Sequence, residues 1–263
     1  MRLLTVLVVV GVLALSACDQ ACSPPQSNNS NNRGNANSTP VAEASLLPDP
    51  KPLAPPDPNF KACNQYFPLV PGSTKKYALN YASSLKAEVK QIVDKTVQNG
   101  KPAFLETTRI EDTQGGMHKQ EIKKTVYTCD GGKVGILSSS ENNKTEADST
   151  YVEIKYSDPA DVMLEESAIK PGASWSYKLT ESFQLPGGPL TPTNQSLEVD
   201  RSVSGTEDVT VPAGTFKAIK IQNTINKNLI TEYYSLGIGL IKRVGSDGTT
   251  WELTEFSGLR ESE

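Results

Sequence analysis

The chain has 263 residues, 26 lysines and arginines against 30 aspartates and glutamates, one histidine and a formal charge of −4. An isoelectric point near 5.3 excludes the basic surface that a nucleic-acid binder needs. Hydrophobic content of 37% is low, as a polar tether and half-exposed strands make it, and no run after the amino terminus is apolar enough to span a bilayer.

Arg2 precedes an almost unbroken apolar run, Leu3 to Leu15, and Ser16-Ala17 lead into Cys18. A positive start, a short apolar core and small residues make residues 1–17 a secretory signal peptide, too short for a comfortable transmembrane helix. The ending Leu15-Ser-Ala-Cys18 resembles the lipobox of bacterial lipoproteins, whose cysteine is acylated and becomes the new amino terminus. An ordinary secretory signal that contains a cysteine is the plainer alternative. The resemblance implies lipid attachment at Cys18, with acyl chains of the palmitate kind, in a bacterial cell envelope on the extracytoplasmic side of the membrane. Inner and outer membrane both stay open. Two or three chains anchor stably where one is marginal.

Residues 18–61 read as a disordered tether. Ser27 to Thr39 is rich in asparagine and serine with nothing to bury, and Pro48 to Pro58 is proline-rich and extended. Cys22 lies in this tether, free or bonded to another chain. In an oxidising compartment Cys63 and Cys129 are expected to form a disulfide. A zinc site is the rival reading, but neither cysteine has a cysteine or histidine nearby in sequence.

Beyond residue 62 the chain reads as strands divided by turn signals. Lys75 to Ser83 is the first, and Ala87 to Val97 ends at the hairpin signal Asn99-Gly100. Ala103 to Ile110, Gln120 to Cys129, Val134 to Leu137 and Tyr151 to Tyr156 follow, with a polar loop from Glu141 to Ser149. Ile169-Lys-Pro-Gly-Ala-Ser-Trp-Ser-Tyr177 then echoes Leu69-Val-Pro-Gly-Ser-Thr-Lys-Lys-Tyr77. Six more strands are expected: Trp175 to Phe183, Ser196 to Ser202, Phe216 to Thr224, Leu229 to Ser235, Leu240 to Val244 and Trp251 to Phe256. Leu185 to Thr193, with three prolines, reads as an exposed connection. The fold class is mainly β, a curved antiparallel meander. The echo divides it into two related lobes, residues 62–163 and 164–263, or else repeats turn chemistry within one large sheet.

No motif builds an active site, so no catalytic residue, cofactor or metal site is expected. His118 stands alone beside a Gly-Gly turn, so a Ser-His-Asp or Cys-His arrangement lacks its base. Gly237-Ile-Gly239 lacks the third glycine and following helix of a phosphate loop. Asp158, Asp161, Glu165 and Glu166 cluster, but a charged loop facing water explains them better than a glycosidase pair. Pro212, Gly214, Phe216, Gly237 and Gly239 read as structural turn residues: Pro212 fixes a turn corner, Gly214 supplies positive φ, and Phe216 packs inward.

Tyr66-Phe-Pro-Leu with Pro71-Gly, Val211-Pro-Ala-Gly-Thr-Phe-Lys-Ala and Tyr234-Ser-Leu-Gly-Ile-Gly-Leu-Ile-Lys together resemble the TapB-like family of bacterial envelope β domains. The aromatic usual after the first Pro-Gly is Lys75 here, whereas Trp175 keeps it after the second. That family is distantly similar to the lipoprotein carriers LolA and LolB, which implies a strongly bent sheet with an apolar concave face. The expected function is a non-enzymatic envelope lipoprotein that binds a hydrophobic ligand or an envelope protein partner. A structural or assembly scaffold is the alternative, and a carboxylate-based glycan hydrolase is the third class. A filled interior favours the scaffold; an apolar cavity of several hundred cubic ångströms favours the ligand.

Overall fold

Alternation along each strand decides which way the sheet turns its faces. In Thr74–Asn80, Lys75, Tyr77 and Leu79 share one buried face and Lys76, Ala78 and Asn80 the other. The computed structural model describes residues 51–82, 86–114, 117–144, 149–184, 191–225 and 227–261, within a compact unit spanning Ser45–Glu263. The signal peptide, Cys18, Cys22 and the asparagine-rich tract lie outside the described residues.

The strands are β1 (Thr74–Asn80), β2 (Lys86–Gln98), β3 (Lys101–Gln114), β4 (Met117–Asp130), β5 (Lys133–Lys144), β6 (Ser149–Met163), β7 (Ser174–Gln184), β8 (Thr191–Val211), β9 (Gly214–Ile225), β10 (Asn228–Ser235), β11 (Gly239–Val244) and β12 (Thr250–Ser257). Each pairs antiparallel with the next, and β12 pairs with β1, so a meander closes into a barrel. Closure removes the unpaired edges that an open sheet would expose. Residues 62–163 and 164–263 each supply six strands to this one barrel.

Several strands run further than their side-chain alternation suggests. Glu141 to Lys144 continues β5, because its backbone pairs with both β4 and β6. Thr191 begins β8 opposite Phe183 of β7 and Pro192 follows opposite Ser182, while pairing of β8 with β9 starts only at Val199. Pro192 therefore lies where β8 is paired on one side only, as proline in a sheet requires.

The two halves repeat one another bond for bond at their starts. Gly72 N donates to Val93 O (2.7 Å) and Val93 N to Ser73 O (3.2 Å). Gly172 N donates to Val203 O (2.9 Å) and Val203 N to Ala173 O (2.8 Å). The registers then match strand by strand: Lys75↔Gln91 answers Trp175↔Arg201, Gln91↔Thr108 answers Arg201↔Asn223, and Thr125↔Ser139 answers Glu232↔Arg243. Even the bulge recurs, between Val126 and Tyr127 in one half and Tyr233 and Tyr234 in the other.

Residues 53–70 form a strap over one end of the barrel, ahead of β1. Leu53 N donates to Asp94 Oδ1 (2.8 Å), and Asn64 Nδ2 donates to both Gly132 O (2.8 Å) and Leu164 O (2.7 Å). Gly237 N donates to Gln65 O (2.8 Å). The Phe67 ring meets Tyr127 edge-on at 5.2 Å, and a disulfide joins Cys63 of the strap to Cys129 of β4. Gly72 has φ +82, and a Cβ there would sit 2.5 Å from Ala54 O, so the strap passes where only glycine leaves room. The sequence reading carries the disordered tether to residue 61; in the structure Leu53 to Lys61 already lie on the barrel. Proline-rich chain loses little entropy on docking, which makes this ordering cheap.

Candidate functional site

The inner wall holds the charged residues that the alternation of the strands conceals. Arg201 sits between Val199 and Val203 on the inward face of β8, and Glu232 between Ile230 and Tyr234 on that of β10; they are 5% and 4% exposed. Glu232 accepts from Arg201 Nη2 (2.6 Å), Asn223 Nδ2 (2.7 Å), Tyr234 Oη (2.8 Å), and Arg243 Nε (2.9 Å) and Nη2 (2.5 Å). Arg201 stacks over Trp175 at 5.3 Å, and Arg243 over Trp251 at 5.2 Å. Burial by itself would raise the Glu232 carboxyl, but Arg243 and Arg201 with the donors Tyr234 and Asn223 outweigh it and hold it down at about 2. Tyr234 is raised, by burial first and by Glu232 second.

This network also closes a gap in the wall. Strands β6 and β7 pair only over Glu153–Tyr156 and Glu181–Gln184. Beyond that seam Arg201 Nη1 donates to the carbonyl of Val162, giving a buried β6 backbone acceptor its partner. The guanidinium thus joins four elements: β6, β8, β9 through Asn223, and β10 through Glu232.

The first half carries a weaker version of the same set. Gln91 Nε2 donates to Thr108 Oγ1 at 3.4 Å, where the other half has Arg201 and Asn223. Thr125 and Ser139 hydroxyls meet at 3.4 Å, where the other half has Glu232 and Arg243. Lys75, Glu106 and Lys123 add charge on this side. Burial lowers Lys75 and Lys123 and raises Glu106, with nearby opposite charges working against each shift. Glu106 on β3 and Arg243 on β11 feel one another although three strands separate them in the wall, so they meet through the interior. Tyr77 Oη, donating to Leu240 O at 3.0 Å, crosses the same space.

Two hollows belong to this region. An interior cavity of about 80 Å³ is bounded by Lys75, Gln91, Glu106, Tyr127 and Arg243, with Phe67 and Pro68 of the strap over it. A recess of about 400 Å³ lies outside, between the strap at Pro56, Phe60, Lys61 and Gln65 and the chain end at Gly258 to Arg260. The buried core combines apolar side chains such as Tyr77, Leu79, Val89, Val203 and Ile221 with the charged cluster around Glu232. The outer wall is charged as well, with ion pairs such as Lys76–Glu255 (2.8 Å) and Lys242–Glu252 (2.7 Å). A lipid-facing wall is built of apolar side chains instead.

The turn residues named from sequence fall where the β8–β9 and β10–β11 connections are made. Pro212 and Ala213 link β8 to β9, Gly214 has φ 144, and Phe216 is 5% exposed with its ring 6.1 Å from Phe256. Gly237 and Gly239 have φ 77 and 85 in the β10–β11 turn. Of the acidic group, Asp161 is exposed near Lys133 (3.8 Å), Glu165 and Glu166 are exposed beyond β6, and the Asp158 side chain lies outside the described residues. His118 lies in β4, paired through its backbone with Thr113. Among the described residues no three histidine, cysteine or acidic side chains gather to hold a metal ion. Sequence reading missed Arg201, Glu232 and Arg243, although charges at inward positions among Val199, Val203, Ile230 and Tyr234 were a readable signal.

Comparison with known proteins adds a family and one structure. A family profile described as DUF3108-like matches residues 78–249. No curated protein matches the chain. A Bacteroides fragilis NCTC 9343 protein described as exported, with a YmcC-like fold, aligns at TM-score 0.45 and 16% identity, over 74% of this chain and 100% of its own.

Proposed function

The chain belongs to the DUF3108-like family, and we propose that it is a non-enzymatic lipoprotein of the bacterial cell envelope, anchored through Cys18, that engages an envelope protein partner. One observation carries this reading: among the described residues, the hollow under the strap is small and has charged side chains on its walls. An interior cavity of about 80 Å³ among Lys75, Glu106 and Arg243 is far below the roughly 300 Å³ or more of a pocket for a drug-sized or lipid ligand. Nothing of that size fits this hollow, and the strap end offers a surface outside it. The recess beside the strap gives the strap end a concave surface mixing Phe60, Val70 and Leu259 with Lys61 and Arg260. The strap is also the first described segment after the tether in the chain.

Two measurements test the reading. Native mass spectrometry of the Cys18→Ser chain should show protein free of co-purifying lipid; a stoichiometric acyl ligand would restore the carrier reading. A photo-crosslinking residue at Lys61 or Arg260 should give a discrete protein adduct in cells, absent when the probe is at Lys124 on the outer wall. Failure at both recess positions, or equal adducts at Lys124, defeats the proposal. The same serine variant should leave the membrane fraction, since no described segment supplies a second anchor; retention after a salt wash would contradict lipid attachment.

A further inference from the structure

The two halves of the repeat use one inward space differently. After the second Pro-Gly, Trp175 lies against Arg201, and Ile221 fills the next inward position on β9. The matching positions in the first half, by register, are Lys75, Gln91 and Glu106. An ammonium, an amide and a carboxylate stand there in place of an indole, a guanidinium and an aliphatic side chain. On this side the interior opens into the cavity of about 80 Å³.

The charges around this hollow balance, but one pair does not meet. Glu232 serves Arg201 and Arg243. Lys123 has Glu141 opposite it across the β4–β5 ladder and Glu121 on its own strand. Lys75 and Glu106 remain. Both line the cavity, yet neither forms a hydrogen bond or ion pair with the other or with any other described residue. Lys75 is 8% exposed, and its Nζ would lie 3.3 Å from a Cβ placed on Gly239, so the amine is turned toward the β11 side of the hollow. Glu106 stands on β3. Arg243 directs Nε and Nη2 to Glu232, which leaves Nη1 as a further donor on the cavity wall. Charges held out of water need partners. A lone anion here meets Glu106, and a lone cation meets Lys75 and Arg243. A neutral molecule carrying both charges satisfies both sides. Phe67, Pro68 and Leu240 complete the wall and offer apolar surface to the carbon atoms between two charged ends. At roughly 30 Å³ per water, the hollow has room for a molecule of about the size of glycine or alanine.

We propose that this cavity binds a small zwitterion, an amino acid no larger than alanine. Its carboxylate lies toward the Lys75 ammonium and Arg243 Nη1, and its ammonium toward the Glu106 carboxylate. Phe67 and Pro68 belong to the strap, while Glu106 and Arg243 come from different halves of the barrel. The bound molecule therefore joins the strap to both halves, and occupancy and strap docking stabilise one another. This goes beyond partner binding and stands or falls separately from it.

Equilibrium dialysis of the full chain in detergent against radiolabelled glycine and alanine reads the binding directly. A ligand of about five non-hydrogen atoms binds no tighter than about micromolar, so the titration runs to about 50 mM. The wild type should take up one molecule per chain with a definite half-point. Formate and methylammonium, each with one of the two charges, should compete about tenfold more weakly or worse, and leucine, too large for the hollow, should not compete. Lys75→Met and Glu106→Gln should each weaken the half-point by about tenfold or more. Lys75→Trp, which restores the aromatic of the other half, should abolish binding. No saturable uptake by the wild type means that the cavity holds water only, and overturns the proposal. Formate competing as well as glycine overturns it in favour of an anion site. A half-point unmoved in folded Glu106→Gln overturns it by placing the ligand elsewhere. The wild-type competition series decides the matter even where a variant fails to fold.

Discussion

Glu232→Gln removes one negative charge from between two guanidinium groups. The carboxylate accepts five hydrogen bonds, three from arginine nitrogens, at 2.5 to 2.9 Å. Breaking one side of such a buried pair typically costs about 3–5 kcal/mol, because the remaining charges stay out of water without compensation. The carboxyl gives a second measure. Its fall from 4.5 to about 2 on folding corresponds to about 3 kcal/mol at about 1.4 kcal/mol per unit. Urea unfolding of the two proteins at pH 7 should therefore differ by about 3 kcal/mol. The sign with pH is fixed, since the folded value lies below the unfolded one. The contribution is complete above about pH 4.5 and is lost as pH falls toward about 2. The gap between wild type and Glu232→Gln should stay level down to about pH 5 and close below it. A gap under 1 kcal/mol at pH 7, or one that widens in acid, would refute the role given to the network. The double variant Glu232→Thr with Arg243→Ser installs the pair found at Thr125 and Ser139 and should recover part of the loss seen with Glu232→Thr alone.

Replacing Cys63 and Cys129 by serine opens a loop of 66 residues and should cost up to about 4 kcal/mol in the chain-entropy account. Limited proteolysis of that variant should cut the strap at residues 53–70 before any barrel strand; first cleavage inside β7–β12 would contradict the picture of the bridge as the strap's anchor. Phe216→Ala should cost about 3–5 kcal/mol as a fully buried aromatic, and Gly214→Val more than about 1 kcal/mol at its φ of 144. A melting temperature for Phe216→Ala within a degree of wild type would mark the hairpin as a surface feature.

The amino-acid order by itself determined the number of strands and their sequence. Twelve runs of alternating side chains, parted by turns such as Asn99-Gly100 and Pro212-Ala213, become the twelve strands of the barrel. Alternation and turn chemistry are local, so they can be read without knowing what a strand packs against. The echo of Pro71-Gly72 in Pro171-Gly172 was legible for the same reason, since both glycines stand at positive φ. Tertiary structure alone decided that β12 meets β1, because closure depends on curvature summed over every strand and bulge. It also decided that a charged cluster sits among the buried apolar side chains. Arg201, Glu232 and Arg243 stand on β8, β10 and β11, and it is the register of these consecutive strands, with Arg201 opposite Asn223 and Glu232 opposite Arg243, that places them within hydrogen-bonding distance. The strap was lost to sequence reading for a related reason. Its proline-rich composition matches a solvated tether, and what holds it is supplied from elsewhere in the chain: Asp94, Gly132, Leu164 and Gly237.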